Sequence, residues 1–267
     1  MLPATVASLL ILFTDPVAGD SNSANSASAY GSLTGQFVYD GPLLEQQFST
    51  RTRDTAICGT RVPREDLIVD PKTRGIRYVA VFLRKRPREL HPDLKDPPAT
   101  KVNVRLDKCR LSPRLIIAET RQPIEVRWKD QVVHSLLISS IRNVVSCKVV
   151  AVNGSNGRES MDEFSFRRTE PVPIPISCSI HPIEKGHWLI VDHPYHAVTD
   201  AEGRFRIDNL PAGEHEFRTW HERPGWIQKS LKVVIRGGQV TDIGKSLVAA
   251  RRFEPARIPT KSGTTSR

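Results

Sequence analysis

Cys178 and His181 stand three residues apart in Cys178-Ser-Ile-His181, a spacing at which a thiolate and an imidazole on a short loop can both turn toward one point. A second imidazole, His134, lies well upstream in an apolar run that follows Trp128-Lys-Asp130. One soft thiolate with two imidazoles is the donor group that holds Cu(I) and Cu(II) with little rearrangement between them, which suits one-electron transfer. The plainer alternative keeps Cys178 as a buried small residue and lets His181 cap a turn. A lone Cys-x-x-His is common by chance, so its value depends on the elements that carry it.

Those elements read as strands. The runs beginning at Gly35, Ile76, Leu115, Ile124, Val132, His187, Gly203, Glu214 and Leu231 are short, rich in β-branched or aromatic residues, and bounded by Pro, Gly, Asn or Asp. Helical periodicity does not recur, and this spacing predicts an all-β sandwich architecture. Pro87, Pro92, Pro97 and Pro98 make residues 86–100 a long connection rather than a central strand. Pro171, Pro173 and Pro175 fix φ at alternate positions and keep the approach to Cys178 extended. Residues 153–160 are turn formers and predict another loop. Beyond Ala197, Asp200-Ala-Glu-Gly203 and Leu210-Pro-Ala-Gly213 predict tight turns around a strand whose Phe205 and Ile207 share one face.

The chain has 267 residues, with 39 Lys and Arg against 29 Asp and Glu and a formal net charge of +10. Its basic stretches, Arg84-Lys-Arg-Pro-Arg88 and the tail from Arg251, lack interleaved aromatic residues on which bases would stack. Nucleic acid is therefore not expected as a partner, and an acidic protein or polysaccharide fits the charge better. Residues Ala4 to Phe13 have the length and apolarity of a signal-peptide core, with Val17-Ala-Gly19 and Ala27-Ser-Ala29 as cleavage contexts. An exported, periplasmic or extracellular protein is expected, and no later apolar run approaches the roughly 20 residues of a membrane span. Cys58, Cys109, Cys147 and Cys178 permit three pairings if all are oxidised, and sequence alone does not choose among them. With the Cys178 thiolate engaged elsewhere, Cys58 and Cys109 are the candidate disulfide and Cys147 is left over among valines.

Around the metal-like residues the chain resembles a family. The stretches Val132-Val-His134-Ser, Pro175-Ile-Ser-Cys178-Ser-Ile-His181-Pro-Ile-Glu184-Lys-Gly186 and His187-Trp-Leu-Ile-Val-Asp-His-Pro-Tyr-His196 are similar to cupredoxin-like proteins of the methylamine-utilisation or plastocyanin-like kind. The likeness extends from about Gly35 to Val248. It implies a Greek-key cupredoxin-like sandwich and one type 1-like copper ion, with His134, Cys178 and His181 as equatorial ligands. Where that family's loop carries an axial Met, this chain has Glu184. A carboxylate there is a hard donor that favours Cu(II) and depresses the reduction potential; the other disposition turns it to solvent beside Lys185. Ile183 replaces the family's aromatic residue and Ser135 its Asn, both neighbours of the thiolate.

Residues 197–222 resemble a carboxypeptidase regulatory-like, transthyretin-like β-sandwich repeat. The expected organisation is a signal peptide and polar linker over 1–29, a cupredoxin-like domain over 30–192, the regulatory-like module over 193–248 and a disordered basic tail over 249–267. The opening strand at Gly35 also suits the second module, in which case the copper domain is inserted into it. The expected function is a one-electron carrier or copper holder that serves a redox partner protein. No Ser-His-Asp order, HExxH or phosphate-cradling glycine loop marks an enzyme. The alternative is a non-metal module with a degenerate copper loop, binding polysaccharide or a cell-surface protein through Trp188, Trp220 and Trp226. Most of His187, His193, His196, His215 and His221 read as half-exposed strand residues, while His221, in Trp220-His-Glu222, follows the family pattern and suits a lining of the module junction.

Overall fold

The computed structural model describes residues 29–144, 148–150 and 160–254, and among these the regular elements are nearly all β-strands. The expected signal segment up to residue 28, Cys147, nearly all of the 153–160 loop and the tail from 255 lie outside the described residues.

Two sheets form the first body. One runs in the order Lys148–Val150, His134–Ile138, Ile174–Cys178, Lys185–Val191, Leu115–Glu119, and the other Ser160–Phe164, Ile124–Trp128, Val102–Asp107, Arg110–Ser112. The outermost pair Lys185–Val191 with Leu115–Glu119 is parallel, as is Val102–Asp107 with Ile124–Trp128. Parallel neighbours need crossovers rather than hairpins, so the chain passes between the sheets and makes a sandwich. Leu136, Ile176 and Trp188 from one sheet meet Val104, Leu106, Ile124 and Val126 from the other in a single core.

The run His187-Trp-Leu-Ile-Val is continuously apolar because its strand is buried on both faces. Trp188 and Ile190 enter the sandwich core, while Leu189 and Val191 join Leu115, Ile117, Ala80, Phe82 and Trp220 in a second cluster at the junction with the other body. That body has its own two sheets: Arg204–Pro211, Tyr30–Asp40, Val240–Ala249, and His196–Val198, Ala80–Leu83, Gly213–His221, Gly225–Ile235. Residues 31, 33, 35, 37 and 39 alternate inward along the central strand, and Leu33 and Phe37 pack on Phe205, Phe217 and Ile235.

Tyr30–Asp40 and Ala80–Leu83 therefore belong to the sheets of the second body, and the stretch from Val102 to Val191 is inserted between its strands. Of the two organisations open from the sequence, these pairings match the one in which the opening strand belongs to the second body. The open backbone edge of Arg204–Pro211 needs a pairing strand, which the N-terminal one supplies, while Phe205 and Ile207 pack into the core beneath. Within the stretch expected as tail, Ala250–Phe253 forms a turn of 3-10 helix, with Phe253 buried against the rings of Tyr39 and His221.

Candidate metal centre

His134 opens the strand His134–Ile138, and Cys178 closes its neighbour Ile174–Cys178, paired with Leu136. The two residues thus share one end of one sheet. After Cys178 the chain turns through residues 179–183 and rejoins the sheet at Lys185. The Cys178 N–H donates to the Glu184 carbonyl at 3.1 Å, and the Glu184 N–H donates to the His181 carbonyl at 2.9 Å. This closed loop folds His181 and Glu184 back over the sheet end, where they are only 5% and 1% exposed.

Four donor atoms converge there. His134 Nδ1 is 2.9 Å from Glu184 Oε2, His181 Nδ1 is 3.8 Å from the same oxygen, and Cys178 Sγ is 3.7 Å from His181 Nδ1. All four donors lie within 4.8 Å of one another. Nitrogen, oxygen and sulfur donors held tetrahedrally at about 2.0–2.3 Å from one cation stand about 3.3–3.7 Å apart, so the set closes on a single ion with little movement.

The electrostatics suit a cation. Burial alone would lower the His134 pKa, but contacts with Asp130, Cys178 and Glu184 outweigh it and push it up to about 11. Burial would also raise the Cys178 thiol; hydrogen bonds from His134 and from the Ser135 and His181 N–H groups overcome that and hold it below its usual value. Both N–H groups reach Sγ at 3.3 Å. The pocket therefore favours positive charge at His134 and eases ionisation of the Cys178 thiol. Of the two dispositions open to Glu184, the structure has the inward one, and its Oε1 is buried without a hydrogen-bond partner. A carboxylate oxygen left bare in the interior is costly unless a cation answers it, so the residues present fit a metal ion.

Sequence reasoning missed two neighbours. Asp54 Oδ2 lies 2.9 Å from His181 Nε2, and Asp130 Oδ2 lies 3.4 Å from His134 Nε2, which is buried without a regular hydrogen bond. Asp130 precedes His134 by four positions and carried a faint local signal. Asp54 is 127 positions from His181 and carried none. Beside them Cys58 and Cys109 form a disulfide.

His187, His196 and His215 are half-buried, as expected of strand residues, whereas His193 is fully buried; His221 is buried as well. Trp188 is 1% exposed and Trp220 8%, one filling the sandwich core and the other the junction, so neither offers a stacking platform to a polysaccharide.

Fold and side chains together define an all-β sandwich with a Cys-His-His-Glu donor set at one end. No family profile matches the chain, and no curated protein matches it significantly. Among solved structures it is similar to a copper-containing nitrite reductase from Thermus scotoductus SA-01, at 18% identity over 38% of this chain and 27% of that one, with a TM-score of 0.29. The chain thus spans about a quarter of that enzyme's length. A purple cupredoxin from Nitrosopumilus maritimus is similar at 15% identity over 33% of this chain and 98% of that one, TM-score 0.24. Auracyanin from Roseiflexus castenholzii follows at 12% identity over 36% and 99%, TM-score 0.27. Likenesses of this size carry no functional weight, which falls instead on the donor set.

Proposed function

We propose that this is an exported copper-binding protein acting as a one-electron carrier or copper holder, with His134, Cys178, His181 and Glu184 around one ion. The convergence of four buried donors on one point supports this reading above all else. When bound, copper would supply a one-electron couple. The protein's part is to keep the donors in place: His134 and Cys178 on adjacent strands of a packed sheet, His181 and Glu184 on a closed six-residue turn. Such rigidity keeps the rearrangement between oxidation states small. The Cys178 thiolate favours Cu(I), the Glu184 carboxylate favours Cu(II), and a wholly protein-supplied shell leaves no obvious open position for substrate. A carrier fits that arrangement better than an enzyme. The second body serves as a transthyretin-like accessory, and the net charge of +10 suits an acidic redox partner.

The test is to add Cu(II) to the purified chain, follow uptake and record the visible spectrum, then repeat with Cys178→Ser. One equivalent bound with an intense thiolate charge-transfer band, absent in the variant, supports the proposal. No stoichiometric uptake by the wild-type chain overturns it.

A further inference from the structure

Both ligand-bearing imidazoles turn Nδ1 toward the donor cluster and Nε2 away from it, and each outer nitrogen faces a carboxylate. His181 Nε2 meets Asp54 Oδ2 at 2.9 Å, and His134 Nε2 meets Asp130 Oδ2 at 3.4 Å. The two carboxylates come from segments far apart in sequence, yet a single turn, Lys108–Cys109, organises both. Asp130 accepts the Lys108 N–H at 2.8 Å and the Cys109 N–H at 2.7 Å. Asp54 lies on a strap tied to that turn at both ends. Cys58 is bridged to Cys109, and the buried guanidinium of Arg51 donates to the Lys108 carbonyl at 3.1 Å and to the Cys109 carbonyl at 3.0 Å.

The local backbone at Asp54 is costly for stability alone. It adopts φ 50°, in the left-handed region, at the head of the four-residue helix Thr55–Cys58, and its side chain does not cap that helix. The carboxylate is spent on His181 instead. The disulfide sulfurs lie within 4.8 Å of a His181 ring nitrogen, and Cys109 Sγ is equally near His134, so the covalent tie packs directly against the two imidazoles.

We propose that Asp54 and Asp130 are positioning residues for the metal ion: Asp54 holds the outer nitrogen of His181 through a hydrogen bond, Asp130 faces that of His134 with its charge, and together they keep each Nδ1 aimed at the cluster and bias the site toward the higher oxidation state. The proposal rests on the copper reading above. An anionic acceptor on the outer N–H raises the basicity of the ligating nitrogen, and such partners are worth about 10–100-fold in metal affinity. Asp54 is partly open to solvent, which places it near the low end, about tenfold. The strap makes the effect depend on an intact Cys58–Cys109 bridge.

The experiment uses full-length Asp54→Asn, Asp54→Glu and Asp130→Asn, with Cys58→Ser/Cys109→Ser as the untied strap. In the metal-free wild-type chain, the His181 Nε2 proton should give a slowly exchanging, far-downfield NMR signal. Asp54→Asn should abolish it and Asp54→Glu restore it in part. In copper-loaded protein, Asp54→Asn should weaken Cu(II) binding about tenfold and raise the reduction potential, with the untied strap changing both in the same direction. A wild-type chain lacking the proton signal, or an Asp54→Asn variant with signal, affinity and potential all unchanged, overturns the proposal. The NMR measurement needs no copper, so failure of the wild-type chain to take up copper sinks the carrier reading without hiding this result. If Asp130→Asn fails to fold because the turn loses its cap, the Asp54 series still decides.

Discussion

Arg114 and Glu222 meet across the junction of the two bodies in a forked ion pair, Nε to Oε1 at 2.9 Å and Nη2 to Oε2 at 2.8 Å. Each side chain is 12% exposed. Arg114 sits at the turn into Leu115–Glu119, and its carbonyl accepts the His187 N–H at 2.6 Å from the strand that leaves the ligand loop. Gly186 permits that approach, because a Cβ there would lie 2.8 Å from the Arg114 carbonyl oxygen. The ion pair therefore couples the second body to the strand that carries the end of the candidate site.

Removing one member of such a pair leaves the other charge buried and unanswered, at about 3 kcal/mol or more. Arg114→Ala is expected to lower the denaturation midpoint by that order, while the apolar pair Arg114→Met/Glu222→Met should lose much less. Chemical denaturation of the three chains measures this directly. Equal losses in the single and double variants would mean that the pair acts through packing rather than charge.

The legibility of the chain follows from the range of its interactions. Cys178, His181 and Glu184 lie on one loop, and their convergence is a local property that spacing reveals. The strand character of Lys185–Val191 is likewise local, written in an unbroken apolar run. What spacing does not reveal is which sheet a strand joins: Tyr30–Asp40 pairs with strands some 170 to 210 positions later. The inward turn of Glu184 was also hidden, because one carboxylate suits a solvent pairing with Lys185 as well as a buried contact with His134. Asp54 reaches His181 only because a disulfide and Arg51 hold its strap, and no periodicity records such a tie.

His221 gives the protein an acid-sensitive element away from the metal-like cluster. Burial, helped by the charges of Arg223 and His187 and opposed by Glu222, lowers its pKa to about 4. A histidine kept neutral in the fold contributes full stability above its unfolded pKa of about 6.5, and the contribution falls as pH drops from there toward 4. The loss amounts to at most about 3 kcal/mol. Glu222 is held down to about 2 because hydrogen bonds from His187 and Arg114 outweigh its burial, so it titrates below this window in the fold. Denaturation curves at pH 7, 6, 5 and 4 should show a declining midpoint, with a shallower decline in His221→Gln. An identical slope in the variant would assign the sensitivity elsewhere.

Trp188 is the largest fully buried side chain in the sandwich core, packed against Phe164 and Phe166 at ring separations of 5.6 Å and 6.1 Å. Trp188→Ala should cost about 3–5 kcal/mol through the cavity it leaves, and Trp188→Phe distinctly less. Calorimetry or denaturant titration checks the order. Near-neutral behaviour of the alanine variant would show that the two sheets close without that residue.

Glu184 distinguishes this donor set most sharply from a purely soft one. Its buried carboxylate adds a negative charge and a hard oxygen to a thiolate and two imidazoles, a combination that stabilises Cu(II) over Cu(I). Replacing it by methionine substitutes a neutral, soft sulfur of adaptable shape. In the copper-loaded chain, Glu184→Met should raise the reduction potential by at least about 60 mV, the equivalent of a tenfold change in relative affinity for the two oxidation states of a one-electron couple. The thiolate charge-transfer band should move with it, since the Cys178 sulfur would share the ion with a different fourth donor. Glu184→Gln, which keeps the shape and removes the charge, should raise the potential as well. If both variants keep the wild-type potential and spectrum, the carboxylate stands outside the coordination sphere, and its contact with His134 is a hydrogen bond within the folded core.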